Sequence, residues 1–262
     1  MRNWYTKYYE ATETSKANAI FCNRVFGANY AQHGFSDMEQ IERLLVFLNL
    51  RTGDRVLDLG CGNGKMSEFI SEKTSAHVTG IDNIPEAIRQ AQARIRGKNI
   101  SVLFRVMDIE SLHFPASSFD TIISVDTLYF NDIIATLGKL REILKPDGQI
   151  GIYYSYGVSP DTPAETFDLN SLHPDRTPLA NAIRLNGMKY KVWDFTAEDY
   201  SHALLKKKVA EELRKDFEAE GNSFLFDNRY GEAKGVIKAI NEDAHRRYLY
   251  HVTCCQPTQN ST

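Results

Sequence analysis

From residue 55 onward, the hydrophobic positions alternate between two spacings. Val56, Leu57 and Leu59 form an apolar run of strand length, and Met66, Phe69 and Ile70 follow at helical spacing. Strand-like runs recur at 77–81, 101–106, 119–124 and 149–156. Between them, 84–96 carries Ala87, Ile88, Ala91 and Ile95 on one helical face, 131–144 reads as a helix, and 145–148 (Lys-Pro-Asp-Gly) as a turn. A polar connection over 157–176 precedes a short helix at 178–187 and a strand at 189–195. Thr196 and Asp199 then open a long helix with Leu205, Val209, Leu213 and Phe217 as its apolar stripe, ending at Gly221. Lys206, Lys207 and Lys208 on it read as a solvated face. A further helix, with Ala233, Val236, Ile237, Ile240 and Ala244 on one side, leads to a last strand at 247–254. This order predicts an α/β fold: a doubly wound, mostly parallel, seven-stranded sheet with helices on both faces.

Ahead of the sheet, Trp4, Tyr5, Tyr8 and Tyr9 fall at i,i+4 spacing, and a helix over 15–26 stops at Gly27. A loop carrying Tyr30, Gln32 and His33 follows. Ser36 with Glu39 makes a capping box for a helix that buries Ile41, Leu44, Leu45 and Leu48. The expected division is a lid segment over 1–35 and a domain over 36–262, with a helical insertion at about 196–246.

The net charge of −3 argues against general affinity for nucleic acid, and no apolar run has the length of a membrane span. Cys22, Cys61, Cys254 and Cys255 have neither zinc-site nor disulfide-framework spacing, so reduced thiols, no metal and a cytoplasmic setting are expected.

Candidate chemistry gathers at four successive strand ends. The first bears Asp58 and the turn Gly60-Cys-Gly-Asn-Gly64, where glycine permits close backbone approach and the following helix offers free N–H groups. The second bears Asp82, about twenty residues on, with Asn83 and Ile84; a carboxylate there accepts from ribose hydroxyls. The third bears Asp108 and Ile109, and the fourth Asp126 followed by Thr127, Leu128 and Tyr129. A nicotinamide-dependent oxidoreductase would use a similar layout, but Lys65 stands where its third glycine belongs. A protein that binds its nucleoside ligand without turnover is the reading from another class.

The string Asp58-Leu-Gly-Cys-Gly-Asn-Gly64, with Gly-Ile-Asp82, Met-Asp108-Ile and Leu-Lys-Pro-Asp-Gly148, resembles the class I S-adenosylmethionine (SAM) dependent methyltransferases, over roughly residues 36–156. The resemblance implies a Rossmann-like sheet and SAM as cofactor. It places the methionine moiety on Gly60–Gly64, the ribose on Asp82 beside Asn83, the adenine between Ile84 and Ile109 with its amine on Asp108, and the sulfonium near Asp126. The segment Arg24-Val-Phe-Gly-Ala-Asn-Tyr-Ala-Gln-His-Gly34 resembles the one that closes over SAM in phosphoethanolamine methyltransferases, with Gln32 near the ligand's carboxylate and Tyr30 and His33 beside it. That subgroup's catalytic tyrosine falls on Thr14, and its catalytic histidine near Phe130. The resemblance therefore carries the fold and the SAM site, and not the phosphobase substrate. The expected function is methyl transfer to a small-molecule acceptor, an amine favoured, by a monomer or homodimer without nucleic-acid or membrane partners. His33 and Tyr129 are the candidates for a catalytic role beside the methyl group.

Overall fold

The computed structural model describes residues 2–31, 33–129, 132–158 and 167–254. Its seven strands are β1 (Arg55–Leu59), β2 (His77–Asp82), β3 (Val102–Val106), β4 (Phe119–Val125), β5 (Leu144–Gly157), β6 (Met188–Asp194) and β7 (His245–Cys254). They lie in the order β3-β2-β1-β4-β5-β7-β6, all parallel except β7, which runs antiparallel between β5 and β6. The order reverses between β1 and β4, so a crevice opens beyond their C-terminal ends.

Alternation along the strands assigns the two faces. Leu57, Leu59, Ile122, Ile150 and Tyr250 pack beneath α6 (Ile133–Ile143) and α7 (Pro178–Leu185). Val56, Val78, Ile123, Tyr153 and Leu249 pack beneath α3 (Met38–Leu48) and α4 (Lys65–Thr74). The turn expected at 145–148 is absorbed into β5, whose pairing with β4 shifts register between Phe119 and Thr121.

The remaining helices are α1 (Arg2–Thr14), α2 (Lys16–Phe26), α5 (Pro85–Ile95), α8 (Thr196–Glu212), α9 (Arg214–Ala219) and α10 (Ser223–Asn241). All but α5 form a cap with a core of its own. Tyr8, Phe21 and Phe26 from the chain's start are buried with Val209, Phe217 and Leu225 from the insertion, and Ile84 and Ala87 join the cap to the sheet domain. The 1–35 segment is thus half of a shared core. Arg229 of α10 lies fully buried at its centre, bonded to the Tyr8 hydroxyl at 2.5 Å and Asn18 Oδ1 at 3.1 Å.

Two helix starts and one helix face differ from expectation, and each difference moves a polar side chain inward. Asp37 caps α3 by accepting from Gln40 N at 2.8 Å, which releases Ser36 to bond Arg247 at 2.5 Å. Thr196 and Asp199 do not cap α8: the Thr196 hydroxyl accepts from Arg247 N at 3.1 Å, and Asp199 is fully buried. Lys206 is also fully buried, while Leu205 beside it is exposed. The stripe of α8 runs through Ala203, Lys206 and Ala210, an i, i+3, i+7 face that the three-lysine run conceals.

Candidate active site

The turn after β1 is held by backbone geometry. Gly60 and Gly62 have φ of +67° and +54°, and a Cβ there would meet Thr127 at 2.5 Å and the Tyr9 hydroxyl at 2.7 Å. Only glycine satisfies both the dihedral and the space. Asp82 locks the turn from β2, its Oδ2 accepting from Gly62 N at 3.0 Å and its Oδ1 from Ile84 N at 2.9 Å. Asp58 does something else: it is fully buried behind the turn, accepts from the Ser67 hydroxyl at 2.5 Å, and is not among the residues lining the groove. Burial, opposed by the Ser67 bond, pushes its carboxyl up to about 7.

Beyond the turn lies a groove in two lobes of about 290 Å³ and 90 Å³, which share Tyr9, His33, Gly60, Val125 and Asp126. The larger lobe is floored by Asp82, Asn83 and Ile84 from β2, by Asp108, Ile109 and Glu110 after β3, and by Thr127 after β4. Asp108 begins a single 3₁₀ turn, Oδ1 accepting from Glu110 N at 3.0 Å. Tyr30 and Ser36 line the smaller lobe. Gln32 lies outside the described residues.

Asp126 borders both lobes in a left-handed conformation, φ +55°. Its charge, expected to face a ligand cation, is instead met from within the protein. Arg247, fully buried at the start of β7, forms a two-nitrogen pair with it, and the Phe35 N–H donates at 3.2 Å. Burial raises the Asp126 carboxyl, but Arg247 outweighs it and holds the group below the ordinary carboxylate range. Nε of Arg247 also approaches Asp199 Oδ1 at 3.2 Å, so one guanidinium ties the sheet's switch point to α8. Tyr129, a candidate for catalysis, is a brace here: its hydroxyl donates to Asp126 Oδ1 at 3.0 Å, accepts from Ser155 N at 2.9 Å, and does not line the groove.

His33 overhangs both lobes from the cap side. Its ring meets Trp4, Tyr5 and Tyr8 edge-on at 5.3–5.4 Å between centroids, and Nε2 lies 3.0 Å from Glu232 Oε1 on α10. The other oxygen of Glu232 pairs with Lys206 at 2.6 Å. Lys206, Glu232 and Arg247 escape a reading of the sequence. The buried face of α8 is the one signal that reveals any of them, since the groups they pair with by charge lie 26 to 199 positions away.

Comparison with known proteins agrees with this layout. A family profile described as a methyltransferase domain matches residues 56–148. Phosphoethanolamine N-methyltransferase 1 of Arabidopsis thaliana is 33% identical over 164 residues, 62% of this chain and 33% of that protein. Aklanonic acid methyltransferase DauC of Streptomyces sp. (strain C5) is 39% identical over 134 residues, 49% of this chain and 57% of that one. A solved structure of phosphoethanolamine N-methyltransferase 2 from Haemonchus contortus, in complex with phosphomonomethylethanolamine and S-adenosylhomocysteine, superposes with a TM-score of 0.76 at 21% identity, covering 96% of this chain and 60% of that one. Strand order and the turn after β1 match the fold of that structure, and residues 56–148 carry the sequence match to a methyltransferase domain. The chain spans between about a third and a half of the length of the first curated relatives it matches. No helix among the described residues is long and apolar enough to cross a membrane.

Proposed function

We propose that the protein transfers a methyl group from SAM to a small-molecule acceptor, and that the acceptor is an amine. The observation that carries the reading is the groove itself: a glycine turn with left-handed dihedrals, then carboxylates at the ends of β2 and β3, roofed by the aromatic cap. The fit to SAM is sound chemically. Gly60 and Gly62 leave room for close backbone approach, and the Asp82 carboxylate keeps lone pairs free beyond its two N–H bonds, enough for two ribose hydroxyls. Asp108 suits the adenine amine, Ile84 and Ile109 the ring, and Tyr30 and Asn83 the flanks. Bound there, SAM supplies a methyl carbon activated by a sulfonium centre. The chain's own share is to align the acceptor and exclude water.

An amine is favoured by the charge of the lining. Asp82, Asp108 and Glu110 face the larger lobe with Tyr5 and Tyr9, and neither lobe is lined by Lys or Arg among the described residues. With Asp82 and Asp108 engaged by SAM, an ammonium is stabilised by the ring faces of Tyr5 and Tyr9, whereas a phosphorylated acceptor meets no compensating cation. The test has two parts. Calorimetry should detect S-adenosylhomocysteine and not NAD, and transfer of labelled methyl from SAM across a panel of amines, phosphorylated amines and phenols should label an unphosphorylated amine. Tight NAD binding without a response to S-adenosylhomocysteine refutes the enzyme class; labelling confined to phenols or phosphobases refutes the acceptor.

A further inference from the structure

We infer that Glu232 is a positioning residue: it holds His33 as the tautomer with hydrogen on Nε2, so that Nδ1 takes the acceptor's proton. The inference deepens the reading above and rests on it. An ionised carboxylate only accepts, so the 3.0 Å approach of Nε2 to Glu232 Oε1 places hydrogen on Nε2, and the longer 3.5 Å contact of that nitrogen with Asn228 Nδ2 is outcompeted. The other ring nitrogen then carries the lone pair, has no partner among the described residues, and belongs to a side chain that lines both lobes. Trp4, Tyr5 and Tyr8 clamp the ring edge-on, which fixes its plane.

Glu232 is itself fixed. Its Oε2 pairs with the ammonium of Lys206 at 2.6 Å, and its Oε1 also accepts from Asn228 Nδ2 at 3.2 Å. Lys206 has nowhere else to go: it is fully buried, donates to Gly34 O at 3.1 Å, and sits 4.1 Å from the Phe35 ring centroid. Burial raises the Glu232 carboxyl, but Lys206, joined by the hydrogen bond from His33, outweighs it and keeps the group ionised well below the ordinary range. An unpaired lysine in that position would be costly. Its contacts with Gly34 and Phe35, the two residues after His33, are accounted for if its task is to aim Glu232.

The chemistry balances simply. An ammonium acceptor passes its proton to Nδ1. The nitrogen lone pair so freed forms the bond to the methyl carbon while the carbon–sulfur bond breaks and its electron pair stays on sulfur. The imidazolium, stabilised by Glu232, then returns the proton to solvent.

The test is Glu232→Gln in the full chain. Lys206 draws the amide oxygen, which turns the NH₂ toward His33 and demands a lone pair on Nε2. In chains labelled with ¹⁵N-histidine, assigned by His33→Asn and saturated with S-adenosylhomocysteine, the wild type should show the Nε2–H pattern and the variant Nδ1–H. Turnover of the labelled amine should fall about 100-fold with KM for SAM within about twofold, the size expected when a proton acceptor is lost. Glu232→Asp should regain part of the loss. If Glu232→Gln does not fold, the Lys206→Met/Glu232→Leu pair removes the buried charge together with the acceptor on Nε2, and the pure Nε2–H pattern should give way to a mixture of tautomers. An Nε2–H pattern that persists in either variant, or unchanged turnover, overturns the inference. Failure of the wild type to bind S-adenosylhomocysteine overturns the underlying reading instead.

Discussion

The two walls of the groove are built on different principles. On the sheet side, the groups that face a ligand sit at the ends of neighbouring parallel strands and are held by backbone bonds, as Asp82 is by Gly62 N and Ile84 N. On the cap side and at its seam with the sheet, fully buried cations each gather anions, hydroxyls or carbonyls from distant segments: Arg229 reaches Tyr8 and Asn18, Lys206 reaches Glu232 and Gly34, and Arg247, at the seam, reaches Asp126, Ser36 and Asp199. The sheet side gains its shape from local geometry, which survives the loss of a side chain. The cap side gains it from pairs of charges, for which loss of one partner strands the other in a medium of low polarity.

The largest expected effect follows from cutting the cap in two. A chain beginning at Ser36 loses Tyr8, Phe21 and Phe26 and uncovers Phe217 and Leu225. It should lack a cooperative melting transition in calorimetry; a sharp transition near the full chain's would mean that the insertion folds alone. Next is the join between the walls. Arg247→Met leaves Asp126 and Asp199 buried together, and denaturant unfolding should report a loss of about 3–5 kcal/mol. A loss below about 1 kcal/mol would mean that the pairing contributes little beyond its own desolvation cost.

Acid should also find the cap first. His202, buried on α8 with Nε2 at 3.1 Å from Val25 O, has its pKa lowered to about 4 by burial, with Lys206 adding to the effect. The unfolded chain binds this proton near pH 6.5 and the folded chain only near 4, so its contribution is complete above about 6.5 and is lost as pH falls toward 4. The loss should approach about 3 kcal/mol, and His202→Phe should flatten that part of the stability profile. An unchanged slope would assign the acid sensitivity elsewhere. The smallest effect belongs to the sheet side: Asp82→Ala should weaken S-adenosylhomocysteine binding by about 1–3 kcal/mol in calorimetry, the cost of unpaired polar groups. A shift in melting temperature as large as that of Arg247→Met would erase the contrast between the walls.

The same contrast explains what could be read from the sequence. Strand order, the glycine turn and the carboxylates at Asp82 and Asp108 were legible because their spacing is local and repeats with the fold. Asp58 was legible as a residue and not as a role, since burial behind Ser67 depends on how α4 seats on the sheet. Lys206 was hidden by its neighbours Lys207 and Lys208, although its register with Ala203 and Ala210 marks the inner face. Glu232 and Arg247 carry no local signal, because each acquires meaning from a partner across the tertiary fold. Asp126 was legible as a groove residue and its countercharge was not, because that comes from a strand 121 positions later.

The divided core of the cap also bears on how the chain comes to life on the ribosome. Helices α1 and α2 are made before the sheet, yet surfaces that cover Phe21 and Phe26 belong to helices made some two hundred residues later. Through most of synthesis those rings stay exposed, a natural grip for chaperones, while the early strands can already pair. Strand β7 must then slot antiparallel between β5 and β6, delivering Arg247 to Asp126. The groove's roof therefore closes only after α8 to α10 and β7 are made, and a chain interrupted before them exposes the apolar faces of α1 and α2.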